Sequence, residues 1–218
     1  MAHLQNSRCA KATDFFALAD LFSIGMRFAI DRDAIEFCLA FVSLQLSDGN
    51  TMIQEVSGDI LLSNAQAIAH GIAPNEHFDS GLALALREQW PAMAKDFRHY
   101  AHQSHPKPGE LWMWGGVGGV RILNLLTQEG EHTHGSRPGK ATLANVNHCL
   151  RRLRHVLEVE GITSLAIPAL ATGVGGLAWS DVKPLIEQHL GDLSIPIFLY
   201  SNYHAGKQAL ETSGKLVR

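Results

Sequence analysis

The chain has 218 residues, of which 46% are hydrophobic and 18% charged, enough apolar material for one sizeable core with an extension. A formal net charge of -3 supplies no positive field for a polyanion, so the balance argues against general nucleic-acid binding. Phe37 to Leu46 is too short for a membrane span and is bounded by Glu36 and Asp48.

Cys9, Cys38 and Cys149 are odd in number and widely spaced, without a Cys-x-x-Cys pair. They read as reduced thiols and, since Asp14 and Asp20 interrupt the first apolar stretch and no signal-peptide layout appears, a cytoplasmic protein is expected.

Residues 1–51 read as an N-terminal extension. Phe15 to Phe22 and Ala34 to Leu46 each hold enough apolar positions for a helix, with Asp31 or Asp33 suited to a helix start, and packing is their expected role. Asp48-Gly49-Asn50 has turn chemistry. Met52, itself a candidate start residue, then opens a self-contained alternation of strands and helices.

Met52 to Ser57 is expected to be the first strand, followed by Gly58-Asp59-Ile60-Leu61, and Ala65 to Ile72 the second. Gly81 to Gln103 reads as one long helix, with Leu82, Leu86, Met93 and Phe97 on its apolar side and Pro91 as a kink. Leu111 to Trp114 and Val120 to Thr127 are strands joined by glycines 115, 116, 118 and 119, which suit a hairpin turn. Because that cluster lies between strands and opens no helix, it is not a dinucleotide fingerprint. A polar loop fills 128–140. Thr142 to Val159 is a second long helix, with Leu143, Val146, Leu150, Leu153 and Leu157 at helical spacing. Its Arg151, Arg152, Arg154 and His155 read as a solvated face.

Thr163 to Ile167 is a further strand, and Ile167-Pro-Ala-Leu-Ala-Thr-Gly-Val-Gly-Gly-Leu-Ala-Trp179 leads from it through a glycine loop into a helix carrying Val182, Leu185, Ile186 and Leu190. Successive amides in such a loop form a concave site for phosphate oxygens, and a purely structural turn fits the same residues. Ser180 or Asp181 would cap the helix. Ile195 to Tyr200 closes the pattern. The expected fold is α/β, a mixed sheet with helices on both faces in three layers, ligands gathering at the carboxyl ends of the strands.

Gly58-Asp59-Ile60-Leu61, Ala69-His70-Gly71-Ile72 followed by Asp79-Ser80-Gly81-Leu82-Ala83, Asn124-Leu125-Leu126-Thr127, and Ile167-Pro168-Ala169 with Thr172-Gly173-Val174-Gly175-Gly176-Leu177 stand in the order seen in macrodomains. The chain resembles that family, and within it the branch that contains the terminal ADP-ribose–glutamate hydrolases and the antitoxin hydrolases of DNA ADP-ribosylation. The resemblance implies a macrodomain over 52–204 and a C-terminal tail over 205–218. It also implies ADP-ribose or an ADP-ribosylated macromolecule as partner, and no required cofactor or metal. By the same resemblance Asp59 receives the adenine amino group and the Ile60 backbone meets the ring; a helix cap is the other reading of Asp59. Ser80, Gly81 and Leu82 match the loop around the diphosphate and distal ribose. Thr172, Gly173, Val174, Gly175, Gly176 and Leu177 match the second phosphate loop, Thr127 closes the third block, and Tyr200 and Asn202 lie toward the adenosine.

The catalytic pattern departs from that branch. Its glutamate hydrolases use a lysine immediately after the threonine of the third block and an aspartate inside the second glycine loop, where this chain has Gln128 and Gly175. The antitoxin-like members share Gly-Gly in that loop but keep the lysine. Gln is no amine nucleophile and Gly carries no acid. His132 and His134 in the following loop, and Glu76, His77 and Asp79 in the loop expected to face it, are candidates to position water or move a proton. Lys140 lies in the same loop, far from the matching position. His132 with His134, or His102 with His105, lacks further ligands for a metal. Two classes stay open: an enzyme hydrolysing an ADP-ribosyl bond by water attack, or a phosphate ester such as ADP-ribose 1″-phosphate, and a reader without turnover. A more distant third is another nucleotide-binding α/β protein.

Overall fold

A computed structural model describes residues 52–130 and 138–212. In chain order the elements are β1 (Ile53–Gly58), β2 (Ala67–Ile72), α1 (Gly81–Gln89), α2 (Pro91–Ser104), β3 (Leu111–Gly115), β4 (Arg121–Leu126), α3 (Leu143–Val159), β5 (Leu165–Pro168), α4 (Trp179–Leu190) and β6 (Ile197–Tyr203). None of these helices is long and apolar enough to cross a membrane.

Three local expectations change. The helix expected over 81–103 is two helices, because Trp90 sits at φ -128° and ψ 75° and Pro91 starts α2. Proline disfavours helical backbone in the residue before it and suits a first helical position, so the pattern ends and restarts there. Neither Ser180 nor Asp181 caps α4: Ala178 occupies the cap position, without a side-chain bond, and both polar residues fall in the first turn. The last strand runs to Tyr203, past the expected end at Tyr200. By contrast α3 begins as its pattern implies, with Thr142 Oγ1 accepting from the Asn145 amide at 3.1 Å.

The six strands form one mixed sheet in the order β1-β6-β5-β2-β4-β3, parallel except for β3, which pairs antiparallel with β4. Interior parallel strands are covered on both faces and so carry near-continuous apolar runs. Alternate residues then go to opposite layers. Leu123, Leu125, Leu165 and Ile167 pack with Leu150 and Leu153 of α3 and Ile186 of α4. Ile68, Ile72, Ile122 and Phe198 pack with Leu86 of α1 and Met93 and Phe97 of α2.

Residues 205–212, expected as part of a tail, follow His204 along the β1 and β6 edge. The Asp59 amide donates to Lys207 O at 2.7 Å and the His204 amide to Gly58 O at 3.1 Å, while Ala209 is buried with the α1–α2 layer. Glu211 accepts from Tyr200 Oη at 2.8 Å, from Ser63 Oγ at 2.5 Å and from the Asn64 amide at 2.8 Å. This strap closes the polar ends of β1 with backbone and carboxylate partners.

Candidate functional site

A cleft of about 730 Å³ opens at the carboxyl ends of β2, β4, β5 and β6. Its size suits a drug-sized or nucleotide-sized ligand. Two loops form its opposite walls.

The first wall is the segment from Ala73 to Ala83. Phe78 is fully buried, with its ring 5.5 Å from Phe97 in an edge contact, and this anchor drives the chain into a left-handed backbone at φ 56°. Glu76 braces the turn: its carboxylate accepts from the Phe78 amide at 2.9 Å and from the Ala73 amide at 3.4 Å. That carboxylate is 9% exposed and committed to backbone, which explains its presence without chemistry. With Phe78 turned inward, its neighbours His77 and Asp79 line the cleft. Gly81, at φ 55°, then turns the chain into α1, a conformation that penalises any residue with a Cβ. Ser80 is the N-cap residue but makes no side-chain cap bond, so the amides of Gly81, Leu82 and Ala83 reach the cleft without an intrahelical acceptor. A helix N-terminus so arranged attracts an anion.

The second wall follows β5. Ala171, at φ 59°, and a bond from the Leu177 amide to Ala171 O at 3.1 Å fold 171–177 into a compact loop whose residues Thr172 to Gly175 line the cleft. Gly175 is required by close approach: a Cβ there would lie 2.5 Å from Ala171 O and 2.9 Å from Ala141 Cβ. An aspartate therefore cannot occupy 175 without rebuilding the loop. Gly173 differs, since a Cβ at its position meets nothing within 4 Å. Lys140 stands beside this loop, its Nζ donating to Val174 O at 3.4 Å.

The ends of the cleft differ in character. At β6, Tyr200, Ser201 and the exposed Tyr203 make an aromatic and hydroxyl-bearing end. The Tyr200 hydroxyl is raised above its usual pKa, chiefly by burial and then by its bond to Glu211, so it remains a neutral donor. At β4, Gln128 is 5% exposed, its amide donating to Ile72 O at 3.2 Å and its backbone bridging Ala141. On the floor, His70 Nε2 lies 2.8 Å from Asn124 Oδ1, and Asn124 Nδ2 donates to Trp112 O at 3.3 Å, so the imidazole is the donor to Asn124. Burial lowers the His70 pKa to about 4, against a smaller upward effect of that hydrogen bond, and the ring is neutral at physiological pH.

Several expected residues lie off the cleft lining. Asp59 accepts from the Leu61 amide at 3.1 Å, capping the short turn Ile60–Leu62, and from the Gly206 amide at 3.0 Å. Ile60 is packed in the core beside it. Thr127 is fully buried, with its Oγ1 against Gly71. Gly176, Leu177 and Asn202 flank the lining residues without belonging to them. His132 and His134 lie outside the described residues. Among the described residues no three His, Cys, Asp or Glu side chains gather as a metal site.

Sequence reasoning assigned nothing to His70, Ser201, Tyr203 or Pro138, which all line the cleft. A lone histidine in the apolar run 67–72 was the available signal for His70. Pro138 comes in through the long polar loop, whose path no periodicity predicts.

A model of the family described as Macro domain matches residues 79–186. The DNA ADP-ribosyl glycohydrolase of Mycobacterium bovis is 28% identical over 166 residues, covering 73% of this chain and 45% of that protein. This chain thus spans less than half the length of that relative. The macrodomain of Thermus aquaticus DarG superposes with a TM-score of 0.60 at 20% identity, over 68% of this chain and 97% of that one. Thermosipho africanus DarTG in complex with ADP-ribose superposes with a TM-score of 0.60 at 23% identity, over 72% of this chain and 42% of that one.

Proposed function

The chain belongs to the macrodomain family, and from that premise we propose that its cleft binds ADP-ribose, free or attached to a macromolecule. The observation that carries this reading is the pair of walls, each offering backbone amides to one space: Gly81 to Ala83 at the start of α1, and Gly173 to Gly175 in the loop after β5. Among the described residues the amides of Gly173, Val174 and Gly175 donate to no protein acceptor. Two such sets fit a diphosphate, which accepts from both sides and needs no metal for its charge to be met. The adenosine then extends toward Tyr200 and Tyr203, where an aromatic side chain supports a base, and the distal ribose toward His77, Asp79 and Gln128. Asp59 and Asn202 remain proposed contacts of the adenosine end, as Thr127 is of the distal end. With the buried thiol of Cys149, a reducing cytoplasmic setting belongs to the same proposal.

Hydrolysis is a second reading, favoured by one observation: Asp79 and His77 stand on the cleft wall at the end assigned to the distal ribose. Either group has the chemistry to orient water or accept its proton. Gln128 supplies no amine, so any cleavage of an ADP-ribosyl bond would run by water attack without a covalent sugar–enzyme intermediate.

Calorimetric titration with ADP-ribose tests binding, the expected result being a single site; absence of binding would overturn the proposal. Release of ADP-ribose from ADP-ribosylated DNA or protein, or of phosphate from ADP-ribose 1″-phosphate, would establish turnover. Binding with none of these releases is the outcome that identifies a reader.

A further inference from the structure

The segment after the last strand bears on the cleft through one carboxylate. Tyr200 of β6 lines the cleft while only 5% exposed, and its hydroxyl donates to Glu211 Oε1 at 2.8 Å. Ser63 Oγ donates to the same oxygen at 2.5 Å, and the Asn64 amide donates to Oε2 at 2.8 Å. Ser63 Oγ itself accepts from the Ala65 amide at 3.1 Å, so every bond of the cluster runs toward Glu211. A carboxylate only accepts, which suits it to the centre of such a cluster.

Glu211 is held in place on both sides. Gln54 spans it, donating from Nε2 to Leu210 O and accepting at Oε1 from the Thr212 amide, each at 3.2 Å. Upstream, Ala209 is buried, the Asp59 amide donates to Lys207 O at 2.7 Å, and the Gly206 amide donates to the Asp59 carboxylate at 3.0 Å. A tyrosine ring tethered by its hydroxyl to a fixed carboxylate keeps one orientation, whereas a free hydroxyl lets the ring regain rotamers that a ligand must freeze on binding. We infer that Glu211 is a positioning residue for the ligand: through Tyr200 it holds the aromatic wall of the cleft in the orientation that receives the base. The strap of 205–212 supplies no residue to the cleft lining, yet it fixes Tyr200 and Asp59 together.

This inference rests on the ADP-ribose reading of the cleft, and its test separates the two. ADP-ribose is titrated calorimetrically into the full chain and its Glu211→Ala, Tyr200→Phe and doubly substituted variants. Ribose 5-phosphate, which keeps a sugar and a phosphate but lacks the base, is measured on the same proteins by competition. The expected result is that each single variant loses about five-fold in ADP-ribose affinity and that the double variant is no weaker than either, a coupling of about 1 kcal/mol. Glu211→Gln, whose amide oxygen still accepts from the Tyr200 hydroxyl, should stay within about two-fold of wild type. Should Glu211→Ala fold poorly, Tyr200→Phe, which removes only the hydroxyl, carries the comparison with Glu211→Gln. A Glu211 that serves only to stabilise the fold would, when removed, weaken ADP-ribose and ribose 5-phosphate alike, which would overturn the inference. Additive losses in the double variant would overturn it as well. Unchanged ADP-ribose affinity in the single variants would overturn it while leaving the ADP-ribose reading intact. A wild-type chain that binds no ADP-ribose would overturn the reading and the inference together.

Discussion

The two glycines at 173 and 175 sit two residues apart in one loop and should respond in opposite ways to substitution. At Gly173 a Cβ meets no atom within 4 Å, and the residue is not among those with positive φ, so Gly173→Leu carries no built-in strain. Its stability should stay within about 0.5 kcal/mol of wild type, as for a surface change away from special features. The leucine would instead stand where the diphosphate is proposed to lie. Losing two amide–phosphate hydrogen bonds, at about 1.5–3 kcal/mol each for a charged acceptor, weakens ADP-ribose by at least about 100-fold. At Gly175 even one methyl would lie 2.5 Å from Ala171 O and 2.9 Å from Ala141 Cβ. Gly175→Ala should therefore destabilise the fold by about 1–3 kcal/mol, as overpacking does, and lower the melting temperature by about 2–4 °C for each kcal/mol. Calorimetric titration and thermal unfolding of both variants read the two effects separately. A Gly173→Leu protein that binds ADP-ribose as wild type does would refute the placement of the diphosphate. An unchanged melting temperature for Gly175→Ala would refute the close-approach argument.

Three further outcomes are expected. Asp59→Ala removes the acceptor for the Leu61 and Gly206 amides and should cost about 1–2 kcal/mol, a typical cap loss, measured by urea unfolding; titrating the folded variant with ADP-ribose and an inosine analogue then shows whether the carboxylate also reads the adenine amino group, a lost preference for adenine being the supporting result. For His70, whose folded pKa of about 4 lies below the ordinary 6.5, the unfolded chain takes up a proton that the folded chain refuses, so stability is lost as pH falls from 6.5 toward 4, by about 3 kcal/mol at 1.36 kcal/mol per pH unit. Urea unfolding of wild type and His70→Gln across that window should show the wild type losing more, and identical pH profiles would exclude His70 as the source. Incubation with an ADP-ribosylated peptide followed by borohydride should leave the intact mass of the protein unchanged, since Gln128 offers no amine; an adduct mapped to Lys140, whose Nζ lies beside Val174 O, would contradict this.

Much of the architecture was legible in the residue pattern because it follows from local rules. The alternation of apolar runs along 67–72, 121–126 and 165–168 implies strands covered on both faces, and the spacing of Val146, Leu150, Leu153 and Leu157 implies one buried stripe on a helix. Glycines 81, 175 and 176 announce loops for the same reason, a backbone requirement carried by the residue itself, positive φ at 81 and 176 and close approach at 175. Tertiary structure decided what each polar group faces. Glu76 and Asp79 are both acids of one loop that line the cleft, yet the turn that buries Phe78 binds the Glu76 carboxylate to the Phe78 and Ala73 amides as a brace. Asp59 suited either a ligand contact or a cap, and its bond to the Gly206 amide comes from a segment almost 150 residues away. Gln128 could be recognised in the sequence only as a missing lysine; that its carbonyl oxygen is buried and unmet depends on the pairing with Ala141 and on the cleft closing around it. Side-chain type and backbone freedom belong to the residue and can be read in order, whereas the partner of a polar atom is set by long-range packing and appears only in the folded chain.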